Sequence, residues 1–325
     1  MDKRRILVTG ALGQIGSELV PVLRERYGTD RIVASDIRIP RPDSPLVLVN
    51  GLFEHLNCTA LPQIQDVVRR YDIGSIYHLA AILSAVGEER PHVAWDVNMG
   101  GLYRVLEVAR QNHCALFFPS SIGAFGHSTP RERTPQVTIQ RPQTIYGITK
   151  VAGELLCDYY AQRFGIDTRG LRLPGIISHA APPGGGTTDY AVEIFNHALR
   201  YRRYTCFLRP DTRLDMMYMH DTLRAIIELM EADPSRLIHR NAFNITAMSI
   251  TPAELAEAIR AHIPELAVDY EVDPVRQAIA DSWPRSVDDS AARAEWGWAP
   301  AFDLAAMTKD MLDRLGERMP CTTYP

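Results

Sequence analysis

The sequence has 325 residues, a formal net charge of −4 and an apolar fraction of 46%. This length suits one large α/β domain or two unequal ones, and the apolar fraction is that of a globular chain. The small charge, without a basic stripe, argues against nucleic acid as a partner, and no apolar run approaches the roughly 20 residues that span a bilayer. Five scattered cysteines predict buried thiols in a reducing cytoplasm, with no metal site and no disulfide framework.

The first predicted element is an apolar strand over residues 5–9, so we expect no targeting peptide before it. A turn with glycines at every third position follows at once, and then a helix. Strand, glycine turn and helix in this order form a dinucleotide cradle. Gly10 permits the tight turn, Gly13 lets backbone approach a pyrophosphate, and Gly16 allows close packing of the helix. The residues expected to contact the cofactor here are Gly10, Gly13, Gln14, Ile15 and Gly16.

A carboxylate marks the end of the second predicted strand, residues 31–35. Asp36 can accept hydrogen bonds from both ribose hydroxyls of an adenosine, and it repels a 2′-phosphate. This predicts NAD rather than NADP as the cofactor. Arg38 acts in the opposite direction, since an arginine nearby can accommodate that phosphate.

Two further strands, at residues 46–49 and 75–81, flank a predicted helix over residues 64–71. The second strand ends in small residues, which let a cofactor approach the backbone. The residues placed there are Leu79, Ala80 and Ala81. Ser84 follows at the edge where open α/β sheets bind their ligands, whereas His78 lies within the strand and is expected to be a core histidine.

Three side chains near the carboxyl edge of the predicted sheet can perform acid–base chemistry. Tyr146 and Lys150 lie one turn apart on a predicted helix and share one face. A free phenol has a pKa of about 10, but a nearby ammonium lowers it, so Tyr146 can take a proton from a substrate hydroxyl. A strand over residues 116–118 brings Ser121 to the same edge, where its hydroxyl can hold the reacting oxygen. The neighbours expected beside the cofactor are Ser120 and Pro174.

Two long predicted helices, over residues 92–112 and 146–164, have more apolar positions than one core-facing stripe requires. Pairing with a second copy of the chain across a two-fold axis would bury the surplus. The pattern therefore favours a homodimer through these helices. Burial within one chain is the alternative.

After a sixth strand over residues 169–173, the alternation of strands and helices stops. Residues 182–189 are rich in prolines, glycines and short hydroxyls, which suits either a loop that closes over a small polar ligand or a plain linker. Residues 216–219 have the pattern of a strand, and residues 251–262 and 288–298 that of helices. The loop residues expected at the substrate are Gly186, Thr187 and Thr188.

These elements divide the chain into two predicted domains. Residues 1–175 and 213–234 form an NAD-binding domain, which is a Rossmann-like, doubly wound parallel sheet of the α/β class. Residues 176–212 and 235–325 form a smaller α/β C-terminal domain that binds the substrate and closes over it.

Together the motifs resemble the extended short-chain dehydrogenases/reductases, the group that includes the nucleotide-sugar epimerases. The residues that carry this resemblance are Gly10, Gly13, Gly16, Asp36, Ser121, Tyr146 and Lys150. Longer segments narrow it to the epimerase-related L-threonine 3-dehydrogenases, which the chain resembles from residue 6 to about residue 311. These segments are residues 119–126, 174–178, 183–191 and 276–284.

This resemblance implies oxidation of L-threonine by NAD to 2-amino-3-oxobutyrate and NADH. It implies Tyr146 as the general base, Lys150 as the partner that lowers its pKa and holds the ribose, and Ser121 as the anchor of the substrate oxygen. Asn98 matches an asparagine that supports a proton relay in such enzymes. The positions that match contacts to the amino-acid end of the substrate are Ser84, Thr187 and Thr188.

The sequence departs from that family's pattern at positions that have no assigned chemistry. The departures are Glu54, His55 and Asn57 near the adenine, Leu173 in place of a tyrosine, Asp215 in place of a proline and His220 in place of an acid. The adenine contacts are therefore the part that the resemblance specifies least.

Two alternative functions are carried alongside this one. A nucleotide-sugar epimerase or dehydratase needs an acid pair after Ser121 or an asparagine after Pro174, and the sequence has neither. A redox-sensing module without catalysis usually lacks the tyrosine or the lysine, whereas Tyr146 and Lys150 are both present.

Overall fold

The computed structural model describes residues 4–40, 51–180 and 184–318. Strands β1 to β12 in these residues are Arg5–Thr9, Ile32–Asp36, Leu52–His55, Ile73–His78, Ala115–Ser121, Thr168–Leu173, Gly175–Ile177, Arg203–Cys206, Leu214–Tyr218, Phe243–Asn244, Met248–Ile250 and Ala267–Tyr270. The α-helices are Gln14–Tyr27, Leu61–Arg70, Ser84–Glu89, Pro91–Trp95, Gly101–Asn112, Ile145–Phe164, Tyr190–Tyr201, Met219–Glu231, Pro252–Arg260, Pro274–Ser282, Ser290–Trp296 and Leu304–Arg318.

Seven strands form one parallel sheet in the order β10-β6-β5-β4-β1-β2-β3. The strands are mostly apolar and buried because two clusters of buried side chains cover the two faces of the sheet. Strand order reverses between β1 and β4, and such a reversal opens a crevice at the carboxyl ends of the strands. This is the Rossmann-like, doubly wound α/β fold that the sequence predicts.

A smaller α/β unit lies mainly in the C-terminal part of the chain. It contains a three-stranded sheet of order β11-β9-β7 and a parallel pair, β12-β8. A third apolar cluster packs these strands against the helices Tyr190–Tyr201, Pro252–Arg260 and Leu304–Arg318. Strand β10 pairs with β6 in the central sheet, although it lies within the range 235–325 assigned to the smaller domain. The domain boundaries themselves stay a prediction.

Two predicted elements differ from those in the structure, and a further one, the strand predicted at residues 46–49, lies outside the described residues. Met219 begins a helix instead of ending the strand predicted for residues 216–219. The predicted helix over residues 92–112 contains a π turn at Asp96–Gly100, whose wider winding is not visible in apolar spacing.

Large apolar side chains remain exposed on the two helical stretches expected to pair. Trp95 and Tyr103 are about half exposed, and Leu155 and Tyr159 also face outward. Burial within one chain therefore leaves these side chains uncovered, and the homodimer stays a prediction. Among the described residues, every helix is too short or too polar to cross a lipid bilayer.

Candidate active site

A cleft of about 770 Å³ runs along the carboxyl ends of the central strands. The predicted cofactor residues that line it are Gly10, Gly13, Gln14, Ile15, Gly16, Asp36, Leu79, Ala80, Ala81, Ser120, Tyr146, Lys150 and Pro174. The predicted substrate residues that line it are Ser84, Ser121, Tyr146, Gly186, Thr187 and Thr188. Positions spread over nearly 180 residues of sequence thus meet around one cavity, while Asn98 lies in the helical stretch beside it.

The glycine turn leaves no room for side chains. Gly10 has φ +71°, and a Cβ there would lie 2.7 Å from the backbone nitrogen of Ala80. A Cβ on Gly16 would lie 2.4 Å from the carbonyl oxygen of Gly10. Gly13 is the N-cap of the helix Gln14–Tyr27, whose first N–H groups form a site for an anion. The turn therefore fits the pyrophosphate of a dinucleotide.

Asp36 ends β2 and is 5% exposed. Its Oδ2 accepts a hydrogen bond from the Leu12 N–H at 2.9 Å, and its Oδ1 accepts from the backbone N–H and the Nε of Arg38, both at 3.0 Å. Burial opposes ionisation, but these hydrogen bonds outweigh it and hold the pKa of Asp36 below its ordinary value. Arg38 therefore already binds the carboxylate that the sequence predicts to bind the adenosine ribose.

Tyr146 lies in the first turn of the helix Ile145–Phe164, which Thr144 caps by accepting the Gly147 N–H. The Tyr146 ring packs against Gly123, where a Cβ would come within 3.3 Å of it. The same Cβ would come within 3.4 Å of Ser121 Oγ, so the serine hydroxyl lies beside the ring. Burial raises the pKa of Tyr146 to about 12, and the Ser121 side chain acts against this rise.

Lys150 lies one turn further along the same helix and is 4% exposed. Its Nζ donates to the carbonyl oxygen of Pro119 at 2.6 Å and lies 5.3 Å from the centre of the Tyr146 ring. Burial lowers the pKa of Lys150 to about 8, and the carboxylate of Glu154 acts against this fall. The ammonium and the phenol are therefore neighbours, as the Tyr-x-x-x-Lys spacing predicts.

Ser120 is held by a buried ion pair. Its hydroxyl donates to Glu154, which also pairs with Arg172 at 2.8 Å. Glu154 and Arg172 are 5% and 8% exposed, and Gln140 donates to the same carboxylate. This network fixes the end of β5 against the helix that carries Tyr146.

Asn98 supports the site from within the π turn. Its Oδ1 accepts the Ile82 N–H at 2.8 Å, and its Nδ2 donates to the Ile82 carbonyl and to Thr149 Oγ1, both at 3.1 Å. Thr149 in turn donates to the Tyr146 carbonyl at 2.8 Å. Asn98 therefore ties the segment after β4 to the first turn of the Tyr146 helix.

The other end of the cleft is lined by short polar side chains. Thr187 is 1% exposed, and among the described residues its Oγ1 has no hydrogen-bond partner. Ser84, which is 4% exposed, begins a short helix nearby in the lining. The N–H groups of Gly185 and Gly186 both donate to Asp189 Oδ2 at 2.8 Å. The backbone N–H of Gly186 is therefore already engaged within its own loop.

Several lining residues were not predicted from the sequence. Cys58, Ile82 and Trp283 all face the cleft, and Trp283 is 5% exposed. Trp283 follows the helix Pro274–Ser282, more than a hundred residues after Tyr146, so no local pattern connects them. Residues 276–284, which include Trp283, carry the family resemblance, but that resemblance implies no role for Trp283.

The residues that depart from the family pattern have different surroundings in the structure. Asn57 and Leu173 line the cleft, whereas Glu54 is engaged by Arg70 and Tyr71. Asp215 is 1% exposed, and its Oδ2 accepts the Val287 N–H at 2.6 Å. Burial raises the pKa of Asp215 to about 7.

A parallel sheet, a glycine cradle and an acidic residue after β2 define a dinucleotide-binding enzyme of the Rossmann class. The family model described as the NAD dependent epimerase/dehydratase family matches residues 6–246. The chain belongs to this family. An uncharacterized epimerase/dehydratase from Staphylococcus saprophyticus is 55% identical over 312 residues, which are 96% of this chain and 97% of that protein.

Two solved structures are similar over almost the full length. L-threonine dehydrogenase from Clostridium difficile has 52% identity and a TM-score of 0.94, covering 97% of this chain and 98% of that one. The holo form of a GalE-like L-threonine dehydrogenase from Cupriavidus necator has 50% identity and a TM-score of 0.92, covering 96% and 99%. The apo form of the latter gives a TM-score of 0.82, so the present structure is more similar to the holo form.

Proposed function

We propose that this protein oxidises the 3-hydroxyl of L-threonine to 2-amino-3-oxobutyrate with NAD as the hydride acceptor. The observation that carries the proposal is the grouping of Tyr146, Ser121 and Lys150 in one cleft, whose lining also includes Thr187 with a buried hydroxyl that has no partner among the described residues. The two similar solved structures that are named as L-threonine dehydrogenases support this choice of substrate.

The glycine turn and Asp36 would hold the NAD. The N-terminus of the helix Gln14–Tyr27 receives the pyrophosphate, and Asp36 accepts from the ribose once Arg38 moves aside. Lys150, whose Nζ reaches the Pro119 carbonyl in β5, would donate to the second ribose. Bound NAD supplies the hydride acceptor, and the protein supplies orientation and proton transfer.

Tyr146 would remove the hydroxyl proton of the substrate. Burial alone works against this role, because it raises the pKa of Tyr146 to about 12. An ammonium beside a phenol favours the phenolate, and Lys150 lies in that position. Ser121 donates to the substrate oxygen and keeps it within reach of Tyr146. Tyr146 therefore works as a base, and Lys150 sets its pKa.

The amino-acid end of the substrate would face Ser84 and Thr187. With the hydroxyl fixed by Tyr146 and Ser121, this end of the cleft is the remaining polar wall. A buried hydroxyl without a partner costs free energy until a ligand bonds to it. Short hydroxyls can bind the carboxylate and ammonium of an amino acid without a full opposing charge.

The test is initial NADH formation, followed by absorbance, at saturating NAD. We expect L-threonine to be oxidised much faster than 3-hydroxybutyrate, which lacks the ammonium, because a site built for hydrogen bonds rejects analogues that leave its polar groups unpaired. L-allo-threonine, with hydroxyl and hydrogen exchanged at the reacting carbon, should also be poor.

The alternatives predict different outcomes in the same assay. Turnover of a UDP-sugar above that of threonine would make the protein a nucleotide-sugar enzyme. Binding of NADH without turnover of any of these compounds would make it a redox-sensing module. Comparable rates with 3-hydroxybutyrate would refute the substrate assignment and leave the fold unaffected.

A further inference from the structure

Three side chains from separate parts of the chain bring potential metal ligands together. His179 follows β7, His220 lies in the first turn of the helix Met219–Glu231, and Asp310 lies on the C-terminal helix Leu304–Arg318. One ligand atom from each lies within 4.8 Å of the other two. Because the residues are far apart in sequence and include no cysteine, no motif indicated them.

The cluster is held by packing and hydrogen bonds. Tyr218 donates to Asp310 Oδ2 at 2.6 Å and is hydrogen-bonded to His179 Nδ1 at 3.1 Å. The two imidazole rings lie nearly parallel, at 15° with centres 5.7 Å apart, and Phe302 packs against His220. The ligands are thus fixed before any ion binds, which lowers the entropic cost of binding one.

One ring nitrogen in the cluster lacks a partner. Among the described residues, the buried Nδ1 of His220 makes no hydrogen bond. An imidazole nitrogen of this kind can coordinate a metal ion.

We propose that His179, His220 and Asp310 bind a first-row divalent cation, with Zn²⁺ as the best fit. Two imidazoles and one carboxylate are a common donor set for Zn²⁺, with a water in the fourth position. In a tetrahedral site with Zn–N distances of about 2.0–2.1 Å, two ligand atoms lie about 3.4 Å apart. The ligand atoms, which lie within 4.8 Å of one another, therefore draw together by up to about 1.4 Å on binding. This inference does not depend on the proposed dehydrogenase activity.

Two guanidinium groups limit the affinity. Arg314 Nε lies 3.5 Å from Asp310 Oδ1, and Arg318 donates to the carbonyl oxygen of His179 at 2.7 Å. Each positive charge opposes a cation at the cluster. Replacing Arg314 by glutamine should therefore tighten metal binding, whereas an unrelated surface arginine should have no such effect.

A bound cation would join the C-terminal helix to the end of β7 and the start of the helix Met219–Glu231. Without it, the C-terminal helix is linked to the other two segments by the Tyr218 bonds to Asp310 and His179 and by the Arg318 bond to the His179 carbonyl. Zn²⁺ should accordingly slow amide hydrogen exchange in residues 304–318. Hydrogen exchange reports the joining of these three segments directly and needs neither NAD nor substrate.

The experiment is calorimetric titration of the full-length, chelator-treated protein with ZnCl₂, together with hydrogen exchange. We expect one equivalent of Zn²⁺, at least tenfold weaker binding in His220→Gln and in Asp310→Asn, and tighter binding in Arg314→Gln. His262→Gln is the matched control, because His262 is exposed and outside the cluster. It should bind Zn²⁺ like the unmodified protein.

Circular dichroism and NADH binding show whether each variant is folded. If His220→Gln does not fold, Asp310→Asn and the visible spectrum of Co²⁺ on the unmodified protein decide the matter, since tetrahedral nitrogen–oxygen ligation gives intense bands. No saturable binding to the unmodified protein overturns the proposal. Equal affinity in His220→Gln, Asp310→Asn and His262→Gln, or no change in exchange of residues 304–318, does so as well.

Discussion

The two ends of the cleft are built by opposite means. At the nucleotide end, Gly10 and Gly16 bring backbone so close to backbone that no side-chain atom fits. At the substrate end, the wall consists of ordinary short side chains, and the Thr187 hydroxyl is buried without a partner in the described chain. One end would fit a nucleotide through shape, and the other would bind the proposed substrate through unsatisfied hydrogen-bonding capacity.

This difference decides what a sequence can reveal. A requirement for no side chain selects glycine and leaves a spacing that can be recognised. A requirement for a hydroxyl is met by residues that are common throughout proteins, and it becomes visible only when burial and missing partners are known. Tyr146 lies between the two ends, so its replacement by phenylalanine should affect chemistry and leave NADH binding largely intact.

The largest effect should come from Tyr146→Phe, which removes the base and almost no volume. We expect kcat for threonine oxidation to fall by about 10²–10⁴-fold, the usual contribution of a general base. NADH affinity, measured by fluorescence titration, should stay the same because the ring still packs on Gly123. Substantial residual turnover would remove Tyr146 from the role of base.

Lys150→Met should change the pH dependence of turnover. Burial already raises the pKa of Tyr146 to about 12 in the unmodified protein, with Ser121 acting against the rise, and loss of the neighbouring ammonium should raise it further. The rising limb of kcat/KM against pH should move upward by roughly 1–3 pH units, the typical effect of a neighbouring opposite charge. A profile that does not move, in a variant with good residual activity, would contradict this role of Lys150.

Gly10→Ala should disrupt the glycine turn at the nucleotide end of the cleft. Its Cβ would lie 2.7 Å from the Ala80 nitrogen at φ +71°. Displacement of the turn should weaken NADH binding by about 100-fold, the scale of a 1 Å misplacement. Gly165→Ala is the control, since Gly165 has φ +69° but open space around it. It should cost about 1–2 kcal/mol of folding stability and leave NADH affinity unchanged.

Asp36→Ala tests the role of the carboxylate at the same nucleotide end. Loss of the carboxylate removes charge-assisted bonds to the ribose, so NAD affinity should fall by about 1–3 kcal/mol. The guanidinium of Arg38, released from Asp36, is then free to meet a 2′-phosphate, and the preference for NAD over NADP should narrow. Titration with both reduced cofactors measures this. Equal use of NAD and NADP by the unmodified protein would refute the assignment of Asp36.

Thr187→Val should have the smallest effect and the most specific one. The KM for threonine should rise by about fivefold to tenfold, which corresponds to about 1–1.5 kcal/mol for one hydrogen bond, with the KM for NAD unchanged. Because the Thr187 hydroxyl is buried without a partner, valine should not lower the melting temperature. Thr187→Ser, which keeps the hydroxyl, should retain the lower KM. A fall in stability with no change in KM would contradict the substrate role.

The sequence could predict those parts of the molecule that rest on local rules. Glycine spacing, strand ends and the Tyr-x-x-x-Lys interval place Gly10, Asp36 and Tyr146 around one cleft, and the structure brings them together there. The sequence did not predict which hydrogen-bond partners these groups have in the structure. Arg38 bonds to Asp36, and Lys150 donates to the Pro119 carbonyl, because long side chains choose partners that only the fold brings near.

Two other features lay beyond the reach of periodicity. The π turn at Asp96–Gly100 aims the Asn98 amide at Ile82, yet it continues the same apolar face as an ordinary helix. Trp283 reaches the cleft from a helix end far along the chain. Contacts between residues this distant leave no trace in a single sequence, because no spacing rule connects them.

The placement of β10 affects how the chain can be made. This two-residue strand pairs with β6 in the central sheet, and Arg172 in β6 donates to the Asn244 side chain at 3.1 Å. A ribosome adding about 5–20 residues per second reaches Phe243 on the order of 4–14 seconds after it has finished β6. Until then the edge of β6 stays unpaired and open to other chains. Shortened genes that stop before residue 243 should therefore aggregate more than those that include β10, which covers this part of β6.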